Sequence, residues 1–440
     1  MLFIHQKESL GKSVMANALT NITSISRSSS KSRSWKVTLG IVFMSQLFSA
    51  VGFSMIFPFL PLYIENLGST MGLSIEFLAG MVIAVQGFTM MIAAPIWGIV
   101  ADRFGRKKMV LRAMLGGSVI LAMMAFVTSA EQLILLRGIQ GVITGTVSAN
   151  NALVAAATPK KRIGFAMGTL QVGLWAGVAI GPLIGGVLAD MFGYSIPFLI
   201  TASLLFIAGL TITFGIDENF TPPKNPVKIS PSAIFGEWKH ILGTSGVSMV
   251  YFMRFLTGLA RTIIIPIAPL FVVSLIAEDA TASNTYAGLV LAVSSATSTF
   301  GAVYLGNLGD KISHKTILFW SSVAAAILYV PQVFVGDVWQ LLILQGLAGI
   351  AAGGLVAAPS ALLARYTEKG EAGAVYGLDN SVVAGARAVA PLFGASIAIW
   401  FGMRGTFAAS AVVFALIAFV TFFYLPNDTV EKTKNEPETA

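Results

Sequence analysis

Long runs without a charged residue alternate with short polar segments along nearly the whole chain. Residues 37–64, 77–101, 113–130, 138–159, 163–189, 191–216, 280–309, 316–336, 338–364 and 405–427 contain no Asp, Glu, Lys, Arg or His. A helix rises about 1.5 Å per residue, so each run is long enough to cross about 30 Å of hydrocarbon. Two further stretches, 241–277 and 372–403, share this character apart from a few charges set inside them. The pattern predicts an all-α polytopic membrane protein with twelve transmembrane helices.

The polar segments mark the boundaries. Residues 1–35 are Ser-rich and basic and read as a disordered tail. Spans one to six fill 36–216, and spans seven to twelve fill 241–425. Between them, residues 217–240 carry Pro222, Pro223 and Pro226, which forbid a continuous helix there. That segment is predicted to be a linker with an amphipathic piece around 234–242, and 426–440 a second polar tail.

The two sets of six spans repeat. Gly98-Ile99-Val100-Ala101-Asp102-Arg103-Phe104-Gly105-Arg106-Lys107-Lys108 returns 208 residues later in degraded form, from Gly306 through Asp310 to Lys315. The same offset lays Arg137, Gly138, Gly141 and Gly145 on Gln345, Gly346, Gly349 and Gly353. One more residue lays Pro182 and Gly185 on Pro391 and Gly394. A hydrophobic chain of two like halves is the mark of a transporter whose halves rock against one another.

Composition agrees: 55% of residues are hydrophobic and 11% charged, with mean hydropathy +0.80. There is no cysteine, and the three histidines avoid the span centres, so no metal site, disulfide or cofactor is expected. The net charge of +8 does not point to nucleic acid, because its positions explain it. Of 28 Lys and Arg, 23 fall in segments assigned to one side and only Arg404 on the other. By the positive-inside rule both termini are cytoplasmic, in the cell membrane. No P-loop, nucleophile elbow, metal-ligand spacing or carboxylate pair argues for an enzyme.

The run from Gly98 to Lys108 resembles the signature of the major facilitator superfamily. Its partial copy between spans eight and nine fits the same family. The resemblance implies two pseudo-symmetric six-helix bundles around a central cavity. It also implies a conformational latch made of Gly98, Asp102, Arg103, Gly105, Arg106 and Arg112, with Asp310 in the second copy. Asp102 can accept from backbone N–H groups at a neighbouring helix N-terminus or pair with a nearby arginine, Arg112 being the obvious candidate. The start of span eleven near 372–373 is the expected docking point. The bland alternative is that the basic run 106–108 only sets topology, which is the expectation for Lys107 and Lys108. Arg137 resembles the family's fourth-span arginine, which implies a part in proton coupling; otherwise it is a structural arginine bonded to carbonyls. Gly177, Gly181, Pro182, Gly185 and Gly186 resemble the antiporter motif of the drug:proton branch, although plain small-residue packing would use the same glycines.

Polar residues inside spans are costly in lipid and mark a pathway. The expected cavity residues are Gln46, Phe53, Gln86, Asn150, Gln171 and Trp175 in the first half, and Arg254, Arg261, Asn380 and Arg387 in the second. Arginine does not deprotonate, so Asp379 is the expected proton carrier, assisted by Arg137. Four arginines within spans against a single acid favour neutral or anionic amphiphiles over cations. The expected function is monomeric, proton-coupled export of amphipathic drugs or small organic molecules. An importer or uniporter of an organic anion is the alternative, and a non-transporting receptor on the same fold would show no flux.

Overall fold

The computed structural model describes residues 35–159, 162–218, 243, 247–276, 282–366 and 372–425. The expected tails, 1–35 but for Trp35 and 426–440, lie outside the described residues, as does the linker 217–240 beyond Asp217 and Glu218. Helices account for nearly everything else, and the twelve crossings can be followed in order.

The first crossing is α1 (Trp35–Met55) followed by α2 (Leu60–Leu67), and the second is α3 (Ile75–Phe104). The third runs from α4 (Arg106–Leu111) through a π turn (Arg112–Gly116) into α5 (Gly117–Met124). The fourth joins α6 (Ala130–Ile143) to α7 (Thr146–Ala157); α8 (Ile163–Phe192) and α9 (Ser195–Gly215) complete the first half. The second half opens with α10 (Val247–Thr262) and α11 (Ala268–Leu275) as one broken crossing. It continues with α12 (Ser283–Lys311), α13 (His314–Gln332), α14 (Val338–Tyr366), α15 (Ala372–Phe401) and α16 (Met403–Tyr424). Eight of these helices are by themselves long and apolar enough to cross a membrane.

The breaks within three of the crossings have local causes. Pro58 and Pro61 interrupt the first crossing, and Pro266 and Pro269, 208 residues later, interrupt the seventh at the same place. A proline lacks the N–H that the helix ladder needs but suits a helix's first turn, so a new helix restarts at each site. The fourth crossing breaks at Gly145, whose φ of 125° favours glycine.

The repeat seen in sequence returns as paired contacts. Gly138 faces Val85 and Gly141 faces Thr89; in the second half Gly346 faces Val293 and Gly349 faces Thr297. The Thr201 hydroxyl donates to the Gly52 carbonyl at 3.1 Å, and the Ser410 hydroxyl to the Ala260 carbonyl at 2.9 Å. Both members of each pair move by 208 or 209 residues. Each half is closed by its own apolar core. Phe59 and Phe198 meet edge to face in the first, and Phe271 packs on Phe407 in the second. Around the outside, Phe126, Phe214, Phe334 and Trp400 are all more than 70% exposed, as expected of side chains whose solvent is lipid.

Candidate functional site

The glycine face of α8 fixes how closely α1 can approach. A Cβ at Gly177 would press on Ala50 and Val51, one at Gly181 on the Ser54 hydroxyl, and one at Gly185 on the Met55 carbonyl. With no side chain between the backbones, the Ser54 hydroxyl reaches across to the Gly177 carbonyl at 2.9 Å. Gly186 looks the other way, into the second half, where a Cβ would meet the Asn284 carbonyl; Gly288 of α12 answers by packing on the Pro182 carbonyl. The motif therefore serves two interfaces, one inside a half and one between halves. Overpacking such a seam costs about 1–3 kcal/mol. Gly185→Ala is accordingly expected to lower thermal stability by about that amount and to lose most transport. Gly164→Ala, where nothing lies within 4 Å of an added Cβ, is the expected silent control.

At the end of α8 the halves are tied together. The Asp190 carboxylate accepts from the Asn284 backbone N–H (3.2 Å) and side-chain amide (2.7 Å). It also accepts from the Thr285 N–H (2.7 Å) and hydroxyl (2.5 Å). These N–H groups belong to the first turn of α12, where helix N–H groups lack intrahelical partners and the dipole favours an anion. A first-half acid thus caps a second-half helix. On the same face Gly80 packs on the Pro391 carbonyl. All these contacts lie away from the linker. At the linker end of α8 the pattern differs, for Gly164 and Gly168 have no neighbour within 4 Å of a would-be Cβ.

The second half holds most of the membrane charges. Arg254 Nε and Nη2 meet Asp379 Oδ1 and Oδ2 at 2.7 Å each, a bidentate pair with side chains 15% and 10% exposed. Tyr251 donates to the Val375 carbonyl at 2.9 Å, Gly258 abuts Ala386, and Gly394 packs on Ile263. These contacts make α10 and α15 parallel neighbours over their length. About two helical turns beyond the ion pair come Arg261 on α10 and Arg387 on α15, part-buried and exposed respectively. Neither has an acidic partner among the described residues.

The first half offers amides instead. Arg137, 2% exposed, donates through Nη1 to Gln86 Oε1 (3.1 Å) and Gln140 Oε1 (3.0 Å), leaving Nε and Nη2 without a partner among the described residues. Gly87, beside Gln86, packs against the Arg387 backbone and so sets the two clusters at one depth. Gln46 and Asn150, expected in the cavity, are instead fully buried and bonded to each other at 2.6 Å. Asn150 donates its amide to Gln46 Oε1 and leaves its own Oδ1 without a partner among the described residues. Gln171 is exposed, Trp175 part-buried, and Phe53 packs against the first-half core. The Asn380 side chain lies outside the described residues.

The latch is described only in part. The surroundings of Gly98 and the side chains of Asp102 and Arg103 lie outside the described residues, as do the side chains at 372–373. Arg112, the candidate arginine partner of Asp102, has its guanidinium 3.6 Å above the Trp97 ring and donates to the Thr144 carbonyl at 3.4 Å. Among the described residues, an aromatic face and a carbonyl meet its cation. Gly105, with φ 98°, makes the turn between α3 and α4. The Arg106 and Lys107 N–H groups donate to the Glu218 carboxylate at 2.8 and 2.9 Å. Lys107 Nζ in turn caps the Thr213 and Ile216 carbonyls at 2.8 and 2.6 Å. Lys107, expected only to set topology, thus clamps the end of α9. Asp310 pairs with His314 at 3.1 Å within its own half.

Sequence reasoning did not assign Gln140, Asn284, Thr285 or Glu218. Only Gln140 carried a signal, one helical turn after Arg137. Asp190 carried another, as the charge that ends a 27-residue apolar run at 189.

The Major Facilitator Superfamily model matches residues 42–253 and 250–440. The multidrug resistance protein MdtG of Dickeya zeae (strain Ech586) is 33% identical over 406 residues, covering 92% of this chain and 98% of that protein. Its namesake from Proteus mirabilis (strain HI4320) is 33% identical over 389 residues, covering 88% and 96%. Among solved structures, the nucleoside transporter NupG aligns with TM-score 0.69 at 15% identity, covering 88% of this chain and 98% of that one. A bacterial homolog of the human lysosomal transporter Spinster, inward-facing and unoccupied, aligns with TM-score 0.71 at 14% identity, covering 88% and 96%.

Proposed function

Because the chain belongs to the major facilitator superfamily, we propose that it exports amphipathic drugs or small organic molecules across the cell membrane in exchange for protons. The near-full-length likeness to multidrug resistance proteins carries this reading. Lysine and arginine content assigns the linker face and both termini to the cytoplasm. The tie from Asp190 to α12 then closes the outer side, and the polar clusters at mid-depth are reached from within. Alternating access requires the outer tie to break while the inner ends of the two six-helix halves, 36–216 and 241–425, come together. Asp102, Arg103, Gly98 and Gly105 are the residues for that inner latch.

Proton exchange needs a group that changes charge between the two states. Asp379, paired with Arg254, is that group in our reading: a proton arriving on the carboxylate loosens the guanidinium. Arg137 shares the depth of the second-half arginines and supports coupling through Gln86. The chain works as a monomer, with a cavity between its own halves.

A drug-susceptibility panel in a pump-deficient bacterial host tests the reading. The expected result is raised resistance to several amphipathic compounds, lost in Asp102→Asn and Arg137→Ala. Everted vesicles supply the direction: efflux reads as uptake that collapses with the proton gradient. Uptake into intact cells without such a gradient would make the protein an importer or uniporter.

A further inference from the structure

We propose that Arg261 and Arg387 form an oxyanion subsite at the blind end of the cavity, taking the carboxylate or sulfonate head of a substrate with an apolar body. The inference rests on the transport reading above and narrows it to a substrate class.

Placement is the first argument. On the parallel helices α10 and α15, the level of the Arg254–Asp379 pair is followed seven and eight residues later by Arg261 and Arg387. That is about 10–12 Å toward the closed outer face. The paired level is neutralised by its own carboxylate. The next level is not. Arg261 lies within electrostatic reach of Arg387, Arg254 and Tyr329, and Arg387 within reach of Arg254. Tyr329, 8% exposed, has Gln345 as its polar neighbour, and Gln345 also bonds Gln332 at 2.9 Å. Two guanidinium groups backed by a phenol and amides suit a planar, bidentate oxyanion.

Solvent is the second argument. Arg387 is residue 16 of the 30 in α15, so it sits at mid-membrane, yet it is exposed while Ala386 and Ala388 beside it are buried. A guanidinium turned into acyl chains at that depth costs several kcal/mol. Arg387 shares its surroundings with Arg254 and Arg261, so its solvent is the cavity.

The repeat supplies the third. Shifted back by 208 residues, Arg254 falls on Gln46, Arg261 on Phe53 and Asp379 on Gln171. The first half folds with the same backbone contacts and none of these charges. The fold therefore does not require them, and mutual repulsion between Arg261 and Arg387 is a stability debt that an anionic ligand relieves.

The test uses three probes of one shape and different head charge: 1-naphthoate, 1-naphthalenemethanol and 1-naphthylmethylammonium. Each is titrated by equilibrium dialysis against the purified, detergent-solubilised full chain. Naphthoate is expected to bind most tightly. Arg261→Gln and Arg387→Gln should each weaken it by about tenfold while leaving the alcohol unchanged. The double variant should bind acid and alcohol alike. Arg261→Lys and Arg387→Lys should keep part of the preference, which a folding defect would not. Failure of naphthoate to bind, equal binding of all three probes, preference for the cation, or an anion preference that survives in the double Gln variant would overturn the subsite. Proton-driven efflux is measured separately in vesicles with the drugs of the susceptibility panel. Its loss would count against the export reading alone.

Discussion

Asp379→Asn is expected to reduce gradient-driven efflux to the background of empty vesicles, while the protein still inserts and still exchanges labelled for unlabelled substrate. The expectation follows from the pair with Arg254. Both carboxylate oxygens are engaged at 2.7 Å, so a proton bound there displaces one N–H donor, removes the charge that assists the other bond and loosens the guanidinium. That couples protonation to a rearrangement between α10 and α15. Asparagine cannot carry the proton, so the cycle loses its coupled step. Exchange needs no net proton movement and should survive. The substitution also leaves Arg254 without its counter-ion, and breaking one side of a buried pair costs about 3–5 kcal/mol. The double variant Arg254→Gln with Asp379→Asn removes both charges and should be close to neutral in stability. It keeps the test readable if the single variant is unstable. Uphill efflux that persists in the single or the double variant would move coupling to another acid, with Glu65, Asp102 and Asp190 the candidates.

Much of this architecture is visible in the chain because helices in lipid obey few rules. Charge-free runs of fixed length give the crossings, and the 208-residue offset gives the halves. The glycines of α8, spaced by four, announce a close helix contact before any partner is known. The breaks were equally available: Pro58 and Pro61 recur as Pro266 and Pro269, and each pair ends one helix and starts the next. What spacing does not specify is choice of partner across long separations. Arg254 and Asp379 are 125 residues apart, Gln46 and Asn150 are 104 apart, and Asp190 reaches Asn284 across 94. Each polar group at depth must find some partner, so its presence in a span is informative. Which partner it finds depends on how two helices rotate and slide, and periodicity leaves that open. Arg112 makes the point: among the described residues it stacks on Trp97, a partner that no spacing singled out. Gln46 and Asn150 make it again, because polarity in a span signals either a pathway or a buried bond, and only packing separates them.

Asp190→Ala is expected to open the outer side. Four hydrogen bonds from the α12 end converge on this carboxylate, and they join the two halves directly. Hydrogen bonds to a charged group are worth about 1.5–3 kcal/mol each when desolvated, and less at a wet rim. A conservative total of about 3 kcal/mol shifts the ratio of the two conformations by about a hundredfold. Alanine removes the acceptor, and the Asn284 and Thr285 N–H groups return to water once the halves part. Asp190→Asn keeps one accepting oxygen and should fall between wild type and alanine. Since the natural chain has no cysteine, one introduced at Ala292, 8% exposed on α12 one turn after Gly288, reports the change alone. A membrane-impermeant maleimide added from outside should leave that cysteine unlabelled in the otherwise native protein and label it readily with Asp190→Ala. Net export should fall by at least tenfold, because a transporter biased toward one state completes few cycles. Protection from the maleimide in both backgrounds, with export unchanged, would show that the tie does not hold the outer side closed, and that Gly186 and Gly288 seal it by packing alone.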